Sequence, residues 1–254
     1  MKFEIITLFP DYFDRALKQS LIGKAIEKKL FDIDIINLRD FATDKHRTVD
    51  DTPYGGGGGM VMMLEPLDNC LRSLGYSHRT GGRSPSEKER IALTSAAGRK
   101  FGQARAIEYS LCDRLTVICG HYLGIDERTT ELYRMDELSI GDYILTGGEP
   151  AALVIIDAVA RLIPGVLGNF ESALNDSYME QLLGAPSYTR PAEYEGLRVP
   201  RQLVEGNHSE IARFRRREAI RKCLINRPDL LKGADLSDEE IEYIKSLDDK
   251  VELE

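Results

Sequence analysis

Ser139-Ile-Gly-Asp-Tyr-Ile-Leu145, followed by Thr146-Gly-Gly-Glu149 and an apolar run from Pro150 to Gly165, is the stretch that decides the fold. It predicts a short strand that ends near Leu145, a glycine turn, and a helix beginning at Pro150, because proline suits the first helical turn. The closing Pro-Gly pair is typical of a helix end. Because the helix is almost entirely apolar, we expect it to be buried in a core or against another subunit.

Asp157 and Arg161 are the exceptions in this apolar helix, and their spacing places them on one helical face. A buried charge is costly unless it is paired. The pattern therefore allows two interpretations. The two residues form a structural ion pair, or one of them has a functional role.

The length, composition and charge of the chain narrow the type of protein that it can be. A chain of 254 residues, 42% hydrophobic and 30% charged, is typical of an ordinary globular protein with one large domain, or a large and a small one. The net charge of −8 argues against non-specific coating of nucleic acid but allows a local basic face. The cysteines have no metal or disulfide spacing and indicate reduced thiols in a cytosol, and the scattered histidines do not indicate a zinc site. The cysteines are Cys70, Cys112, Cys119 and Cys223.

Several classes lack their sequence signals. The N-terminus has no signal-peptide pattern and no apolar run is long enough for a membrane span, so we expect a cytoplasmic protein without membrane contact. No dinucleotide fingerprint follows the first strand and no P-loop is present, which disfavours a nicotinamide-dependent oxidoreductase.

The chain opens with a β-α-β pattern, which favours an α/β fold with a parallel sheet. Phe3–Leu8 and Asp32–Leu38 predict strands, and the apolar positions between Phe13 and Leu30 have helical spacing. Further helices are predicted at Glu65–Leu74 and Gln103–Ser110.

Three predicted strands each run into a glycine-containing loop. Arg90–Thr94 and Leu115–Cys119 are the first two, and the strand near Leu145 is the third. Ligands of parallel α/β sheets bind at the carboxyl ends of the strands, so these loops predict a pocket. Ser95–Gly102 is expected to be a loop after the first of them.

Two further segments are predicted to be loops. Arg39–Met60 has no periodicity and combines charged residues with a glycine run, which favours functional contact over a solvated loop. Gly75–Glu89 is polar and rich in glycine, serine and arginine, and we expect a flexible loop to which no role is assigned.

The character of the chain changes after Gly165. Val166–Gly184 looks like an interdomain linker, and the following residues predict turns and then helices. Asn207-His-Ser-Glu210 and Ser237-Asp-Glu-Glu240 predict helix starts through capping boxes. The first of these helices is basic, which favours a phosphate-reading surface over a solvated face. Its cations are Arg213, Arg215, Arg216, Arg217, Arg221 and Lys222.

Several motifs, in order along the chain, carry a resemblance to a known family. They are Arg47-Thr-Val-Asp-Asp, Pro53-Tyr-Gly-Gly-Gly, Gly120-His-Tyr with Gly124-Ile-Asp-Glu-Arg, Ser139-Ile-Gly-Asp-Tyr, Ile163-Pro-Gly-Val-Leu-Gly, Tyr188-Thr-Arg-Pro and Gly206-Asn-His-Ser-Glu-Ile. Together they resemble the bacterial tRNA (guanine-N1)-methyltransferases of the TrmD family, within the SPOUT superfamily.

The resemblance implies a SPOUT-type parallel sheet with a C-terminal trefoil knot, a small helical C-terminal domain and a homodimer. The implied domains are a cofactor-binding domain at 1–165, a linker at 166–184 with the catalytic aspartate, and a tRNA-binding domain at 185–254. The implied reaction transfers a methyl group from S-adenosylmethionine to N1 of the guanosine immediately 3′ to the anticodon of tRNA. A non-catalytic RNA-binding protein that keeps the fold is the alternative.

The same resemblance assigns site residues. Asp176 is implied as the general base and Arg161 as a catalytic cation. Contacts to tRNA are predicted at Arg47, Asp50, Arg190 and Arg213. The implied cofactor contacts are Thr94, Ser95, Gly120, Gly124, Ile140, Gly141, Asp142, Tyr143, Ile144, Leu145 and Gly147.

The chain departs from the family pattern at three positions. Leu123 stands where the family usually has glutamate, Ala96 where it usually has proline, and Pro150 lies one place early. Backbone contacts tolerate such changes better than a side-chain role does. The resemblance implies dependence on a divalent metal such as Mg²⁺. Because leucine has no metal-ligating atom, the residues that would bind this metal are not assigned.

Overall fold

The computed structural model describes residues 1–79, 88–168, 176–179 and 181–251. The chain divides into two compact units, Met1–Gly168 and Asn169–Glu254. Parts of the predicted loop Gly75–Glu89 and of the predicted linker Val166–Gly184 therefore lie outside the described residues.

The first unit is organised by a parallel sheet. Its strands are β1 (Lys2–Thr7), β2 (Asp32–Asn37), β3 (Asp50–Asp51), β4 (Val61–Met62), β5 (Glu89–Lys100), β6 (Arg114–Cys119) and β7 (Asp136–Ser139). Five of them pair in the order β2-β1-β6-β5-β7, and every pairing in this sheet is parallel. The central strand β6 is buried throughout from Leu115 to Cys119, as expected for a strand covered on both faces. The predicted parallel α/β sheet is confirmed.

Helices cover both faces of this sheet. They are α1 (Ser20–Glu27), α2 (Leu64–Ser73), α3 (Gln103–Ser110), α4 (Arg128–Leu132) and α5 (Glu149–Ala160). Alternate side chains of a strand point to opposite faces, so Phe3 and Ile5 join a core with α5 while Ile6 joins a second core with α2. On α5, Ile155 and Val159 are fully buried and Val154 is 47% exposed. The expectation of burial therefore holds for one side of the helix within this chain.

The predicted helix between Phe13 and Leu30 is wrong in extent. The structure has two 3-10 turns, Pro10–Phe13 and Ala16–Lys18, before α1 begins. Ser20 has a left-handed backbone (φ 57°), which interrupts a continuous helix. The apolar spacing nevertheless identified buried residues, because Phe13 and Leu17 are both in the core.

Two predicted strand boundaries are also wrong. The predicted loop Ser95–Gly102 is largely strand, since β5 continues to Lys100 and pairs with β7 through a register shift between Thr94 and Arg99. The strand predicted to end near Leu145 ends at Ser139, and a loop follows it. The predicted loop Arg39–Met60 contains β3, which pairs antiparallel with β4.

The second unit is mainly helical. It contains a hairpin of β8 (Glu193–Tyr194) and β9 (Leu197–Arg198), followed by α6 (Arg201–Val204), α7 (His208–Asn226), α8 (Pro228–Leu231) and α9 (Asp238–Val251). Both predicted helix starts are confirmed: Asn207 Oδ1 accepts from the Ser209 and Glu210 N–H groups, and the Ser237 and Glu240 side chains cap each other's backbone. Leu182, Ile220 and Cys223 form its buried core.

Candidate active site

The part of β5 at its register shift and the carboxyl ends of β6 and β7 border a cavity in the first unit. Its volume is about 530 Å³. The parallel order β6-β5-β7 brings the three following loops to one edge of the sheet. The cavity is lined mainly by Leu93–Ala97, Gly120–Ile125, Glu137–Gly141 and Tyr143–Gly148. We call residues 94–97, within β5, the first pocket loop, residues 120–125, after β6, the second, and residues 140–148, after β7, the third.

Thr94 connects the first pocket loop to the second. Its hydroxyl group accepts a hydrogen bond from the Gly120 N–H at 3.0 Å and donates to the Ile118 carbonyl at 3.2 Å. The side chain is buried. A buried hydroxyl group with both bonds made fixes the backbone of Gly120 relative to β5.

Glycine allows the third pocket loop to approach the other two. The Gly148 N–H donates to the Gly120 carbonyl at 2.8 Å. A Cβ atom at Gly148 would overlap the Thr94 hydroxyl oxygen and would lie 2.7 Å from the Gly120 nitrogen. Only a residue without a Cβ atom fits between these loops.

His121 and Glu149 lie beneath the third pocket loop. Glu149 is 3% exposed and accepts a hydrogen bond from the Thr7 hydroxyl group at 2.7 Å. A Cβ atom at Gly147 would lie 2.5 Å from both Glu149 Oε2 and His121 Nε2, so these side chains fill the space beside that glycine. His121 Nδ1 is buried and has no hydrogen-bond partner in the described part of the chain.

Burial makes the neighbouring thiol a poor nucleophile. Desolvation of Cys119, reinforced by the nearby Glu149, raises the pKa of its thiol well above the ordinary value. Cys119 is therefore a packing residue of β6, not a reactive group of the cavity.

The third pocket loop presents apolar side chains at the rim of the cavity. Ile144 is 82% exposed, and Tyr143 and Leu145 are also exposed. The Ser139 hydroxyl group donates to the Gly141 carbonyl at 2.9 Å, which closes a tight turn directly after β7. Large apolar groups in solvent at the mouth of a cavity are typical of a ligand or partner site.

Ten of the predicted cofactor residues line this cavity. They are Thr94, Ser95, Gly120, Gly124, Ile140, Gly141, Tyr143, Ile144, Leu145 and Gly147. Asp142 is the exception: its carboxylate is almost fully exposed and lies 3.6 Å from the Lys100 ammonium group.

The glycine-rich segment lies against the second pocket loop. The Leu123 N–H donates to the Met60 carbonyl at 3.0 Å, and the Leu123 side chain lies beside Gly59. The predicted tRNA contacts Arg47 and Asp50 do not line the cavity. Arg47 forms an ion pair with Asp40 at 3.1 Å.

The two residues predicted for catalysis belong to different units. Arg161 follows α5 in the first unit, is partly buried, and donates its backbone N–H to the Asp157 carbonyl at 3.2 Å. Asp157, its predicted ion-pair partner, is exposed. Asp176 belongs to the second unit, is partly buried, and accepts a backbone hydrogen bond from Met179 at 3.4 Å. Their catalytic roles stay predictions.

The basic helix α7 is partly neutralised by the acidic start of α9. Arg216 donates to Glu240 at 2.8 Å, and Arg217 to Glu239 at 2.9 Å. Arg213 lies farther from Glu239, at 3.7 Å. Arg213 and Arg190 are both exposed, so the predicted phosphate-reading surface depends on fewer cations than the sequence indicates.

The described residues do not assemble a metal site. No cluster of three or more His, Cys, Asp or Glu side chains within residues 1–79, 88–168, 176–179 and 181–251 could hold a metal ion. In the same ranges, no helix is both long and apolar enough to cross a membrane.

Comparison with known proteins gives the family. Residues 1–233 match the family model described as tRNA (Guanine-1)-methyltransferase TrmD. The chain belongs to this family. It is 50% identical over 247 residues to the tRNA (guanine-N(1)-)-methyltransferase of Geotalea uraniireducens, covering 97% of both chains. It is 49% identical over 249 residues to that of Geobacter metallireducens, covering 98% of both. The Limosilactobacillus fermentum protein of the same name is 46% identical over 240 residues, covering 94% of this chain and 93% of that one.

Sequence reasoning missed Glu149 and His121 in this TrmD-family chain. A glutamate directly before a proline at a helix start suggests a solvated first-turn acid, which favours the helix dipole. The signal that was available is its position between a glycine pair and an almost entirely apolar helix, where a carboxylate has little access to water.

Proposed function

We propose that this chain transfers the methyl group of S-adenosylmethionine to N1 of the guanosine immediately 3′ to the anticodon in tRNA. The observation that carries the proposal is membership of the TrmD family over nearly the whole chain, joined to a cavity bordered by the predicted cofactor loops. The chain is accordingly a tRNA (guanine-N1)-methyltransferase.

The cavity fits a cofactor of this size and chemistry. Its volume of about 530 Å³ lies within the range typical of small-molecule sites. Backbone of the segments Gly120–Ile125 and Tyr143–Gly148 lines the space that an adenosine group would fill, while Ile144 and Leu145 supply apolar cover. When bound, S-adenosylmethionine supplies a methyl group on a sulfonium centre, which is open to attack by a ring nitrogen.

Asp176 and Arg161 supply the proton and charge chemistry in this proposal. N1 of guanine carries a proton that must leave as the nitrogen forms its bond to the methyl carbon. The Asp176 carboxylate takes that proton, and a placed general base contributes roughly 10²–10⁴-fold to a rate. Arg161 offsets the negative charge that moves onto the ring, near O6.

Contacts to tRNA are assigned to exposed cations and to the segment between β2 and β4, which contains β3. Arg190 and Arg213 of the second unit hold phosphate groups, and Arg47 and Asp50 contact the substrate from the first unit. Net charge is −8, so such local cations, not overall charge, provide the attraction to phosphate. Residues 185–254 thus form the tRNA-binding domain, 1–165 the cofactor domain, and 166–184 the linker with the base.

We further propose a trefoil knot and a homodimer. The hydrogen bond between the second and third pocket loops, Gly148 N–H to Gly120 carbonyl, supports the close threading that a knot needs. Val154, an exposed apolar residue of α5, supports a dimer, because a second subunit that covers it would remove its side chain from water. Buried free cysteines fit a reducing cytoplasm.

No step is assigned to a divalent metal. Leu123 has no ligand atom at the position where the family usually has glutamate, and the described side chains do not form a metal cluster.

Nucleoside analysis tests this function. A tRNA transcript incubated with the protein and S-adenosylmethionine should yield 1-methylguanosine, detected by mass spectrometry of its nucleosides. A transcript with adenosine in place of the target guanosine is the control and should yield none. Binding of tRNA without any methylated product would favour the alternative of a non-catalytic RNA-binding protein.

A further inference from the structure

Asp176 is followed by a reversal of the chain within the second unit, of which residues 177–179 and 181–184 are described. The Tyr178 N–H donates to the Leu182 carbonyl at 2.7 Å, and the Gly184 N–H donates to the Ser177 hydroxyl oxygen at 2.8 Å. Tyr178 has a left-handed backbone (φ 73°), a conformation that non-glycine residues adopt at tight turns. Two hydrogen bonds therefore restrain the chain at Ser177 and Tyr178, directly after Asp176.

The end of this reversal is fastened to α7. Leu182 is 5% exposed and packs with Ile220 and Cys223 in the buried core of the second unit. The Leu183 N–H donates to the Cys223 sulfur at 3.1 Å. The Lys222 ammonium group donates to the Gly184 carbonyl at 3.4 Å. The segment that carries Asp176 thus belongs structurally to the helical unit.

A cation–aromatic contact holds the start of the reversal. The Arg227 guanidinium group lies over the Tyr178 ring, 5.8 Å from its centre. Asp229 fixes that guanidinium group with two hydrogen bonds of 2.9 and 2.7 Å. A guanidinium group over an aromatic face is attracted to the ring, and its rigid planar shape orients what it stacks on. We call Tyr178 and Arg227 the clamp.

We propose that the clamp is a positioning device for the general base, so that the helical part of the second unit orients Asp176. This inference rests on the proposed function, in which Asp176 accepts the N1 proton. Tyr178 is two residues from Asp176, and the Met179 N–H donates to the Asp176 carbonyl at 3.4 Å, so a backbone shift at Tyr178 should move Asp176 as well. A general base must lie within hydrogen-bond reach of its proton, and a misplacement of about 1 Å can lower a rate about 10²-fold. The clamp therefore contributes to turnover and not to cofactor binding.

The test compares clamp variants with a matched control. Y178A and R227A each remove one side of the clamp, and Y178F keeps the ring. R201A is the control, since Arg201 is an exposed arginine of the same unit whose partner is Glu205. Single-turnover rates at saturating tRNA and S-adenosylmethionine should fall about 10- to 100-fold in Y178A and R227A. Y178F and R201A should retain most of the rate, and the Kd values for tRNA and cofactor should stay within about twofold in all variants.

A double variant separates positioning from a merely structural role. If the clamp acts through the base, Y178A added to D176N should lower the residual rate little further, because groups that act as a unit are not additive. An equal loss in both backgrounds, or an unchanged rate in Y178A, would overturn the proposal. A near wild-type rate in D176N would instead overturn the assignment of the base, and with it the mechanism proposed above. Circular dichroism of each variant shows whether it folds. If R227A does not fold, R227K is measured in its place, because lysine keeps the charge but lacks the planar group that stacks on the ring.

Discussion

The Thr7 hydroxyl group donates a hydrogen bond of 2.7 Å to the Glu149 carboxyl group, and both side chains are buried. Thr7 ends β1, and Glu149 opens α5 directly after the third pocket loop. The bond therefore joins the centre of the sheet to the helix start that supports the candidate cofactor site.

Replacing Thr7 by Val tests this connection. Valine has nearly the same shape but no donor, so one oxygen of a buried carboxyl group loses its partner. The free energy of unfolding should fall by about 1–3 kcal/mol, and the affinity for S-adenosylmethionine should fall because the third pocket loop is less firmly held. Urea unfolding and calorimetric titration measure the two effects. Thr43→Val is the control, since Thr43 is exposed and its bond to Glu65 is long at 3.4 Å; equal losses in both variants would contradict the role of Thr7.

Replacing Gly148 by Ala should remove cofactor binding. The new Cβ atom would overlap the Thr94 hydroxyl group and push the third pocket loop away from Gly120. Gly168→Ala is the matched control, because nothing lies within 4 Å of its Cβ position. Calorimetric titration with S-adenosylmethionine should give no measurable heat for the first variant and wild-type affinity for the second. Unchanged cofactor affinity in Gly148→Ala would refute the packing of the three loops.

Local patterns in the sequence were sufficient for regular elements with a single apolar face. Gln103–Ser110 was predicted with the bounds that the structure has, and Asn207 and Ser237 cap helices as expected. In these cases the signal and the structure share the same few residues, because helix periodicity and capping are local.

The errors lie where contacts distant in sequence decide the structure. Strand β5 continues beyond Thr94 because it pairs again with β7 after the register shift. The residues Ser95–Lys100 do not by themselves predict that pairing. The segment after Ser139 contains the apolar residues of a possible strand, but it pairs with no strand in the described part of the chain. The burial of Glu149 depends on Thr7, a residue remote in the sequence.

The candidate pocket was predictable for a different reason. Parallel strands run in one direction, so the glycine-containing segments that follow them meet at one edge of the sheet even when the predicted strand bounds are wrong. Most residues that line the cavity were therefore predicted. Asp142 was not separable from its neighbours by sequence, because only the turn closed by Ser139 and Gly141 directs it away from the cavity.

The Asp68 carboxylate should make the free energy of unfolding fall at acidic pH. Burial alone would raise its pKa, but hydrogen bonds from Tyr133 at 2.5 Å and from His78 and Arg72 outweigh burial and lower it. A folded-state pKa below the unfolded value means that the stabilisation is present above about pH 4 and is lost as pH falls through the folded value. Asp68→Asn should therefore lower the free energy of unfolding by about 1–3 kcal/mol at pH 7, with a smaller difference from wild type near pH 3. Urea titrations at both pH values measure this, and a difference that does not shrink at low pH would argue against it.

The arginines of α7 should separate into structural and RNA-contacting groups. Arg216 is mostly buried and bonded to Glu240, so Arg216→Ala should destabilise the second unit with little effect on the salt dependence of tRNA binding. Arg213 is exposed at 3.7 Å from Glu239. Arg213→Ala should weaken tRNA binding and reduce the slope of log K against log salt by about one. Filter binding over a range of salt concentrations distinguishes the two, and identical slopes for both variants and wild type would make α7 a solvated face.

A mixture of two inactive chains tests whether the proposed active site is shared between subunits. Gly148→Ala should abolish cofactor binding in its own chain while leaving Asp176 intact, and Asp176→Asn should do the reverse. If the base of one subunit serves the cofactor of the other, a heterodimer of these chains contains one intact site and one doubly defective site. Random pairing of equal amounts makes half of the dimers mixed, so about a quarter of the wild-type activity should return.

The complementation experiment needs independent proof of pairing. Coexpression of the two variants with different affinity tags, followed by purification on both tags, isolates the heterodimer and should raise the recovered activity to about half of wild type. The same procedure with two copies of Asp176→Asn is the control and should recover none. A purified heterodimer without activity would place the base and the cofactor in one chain, and any dimer contact at Val154 would then have a structural role alone.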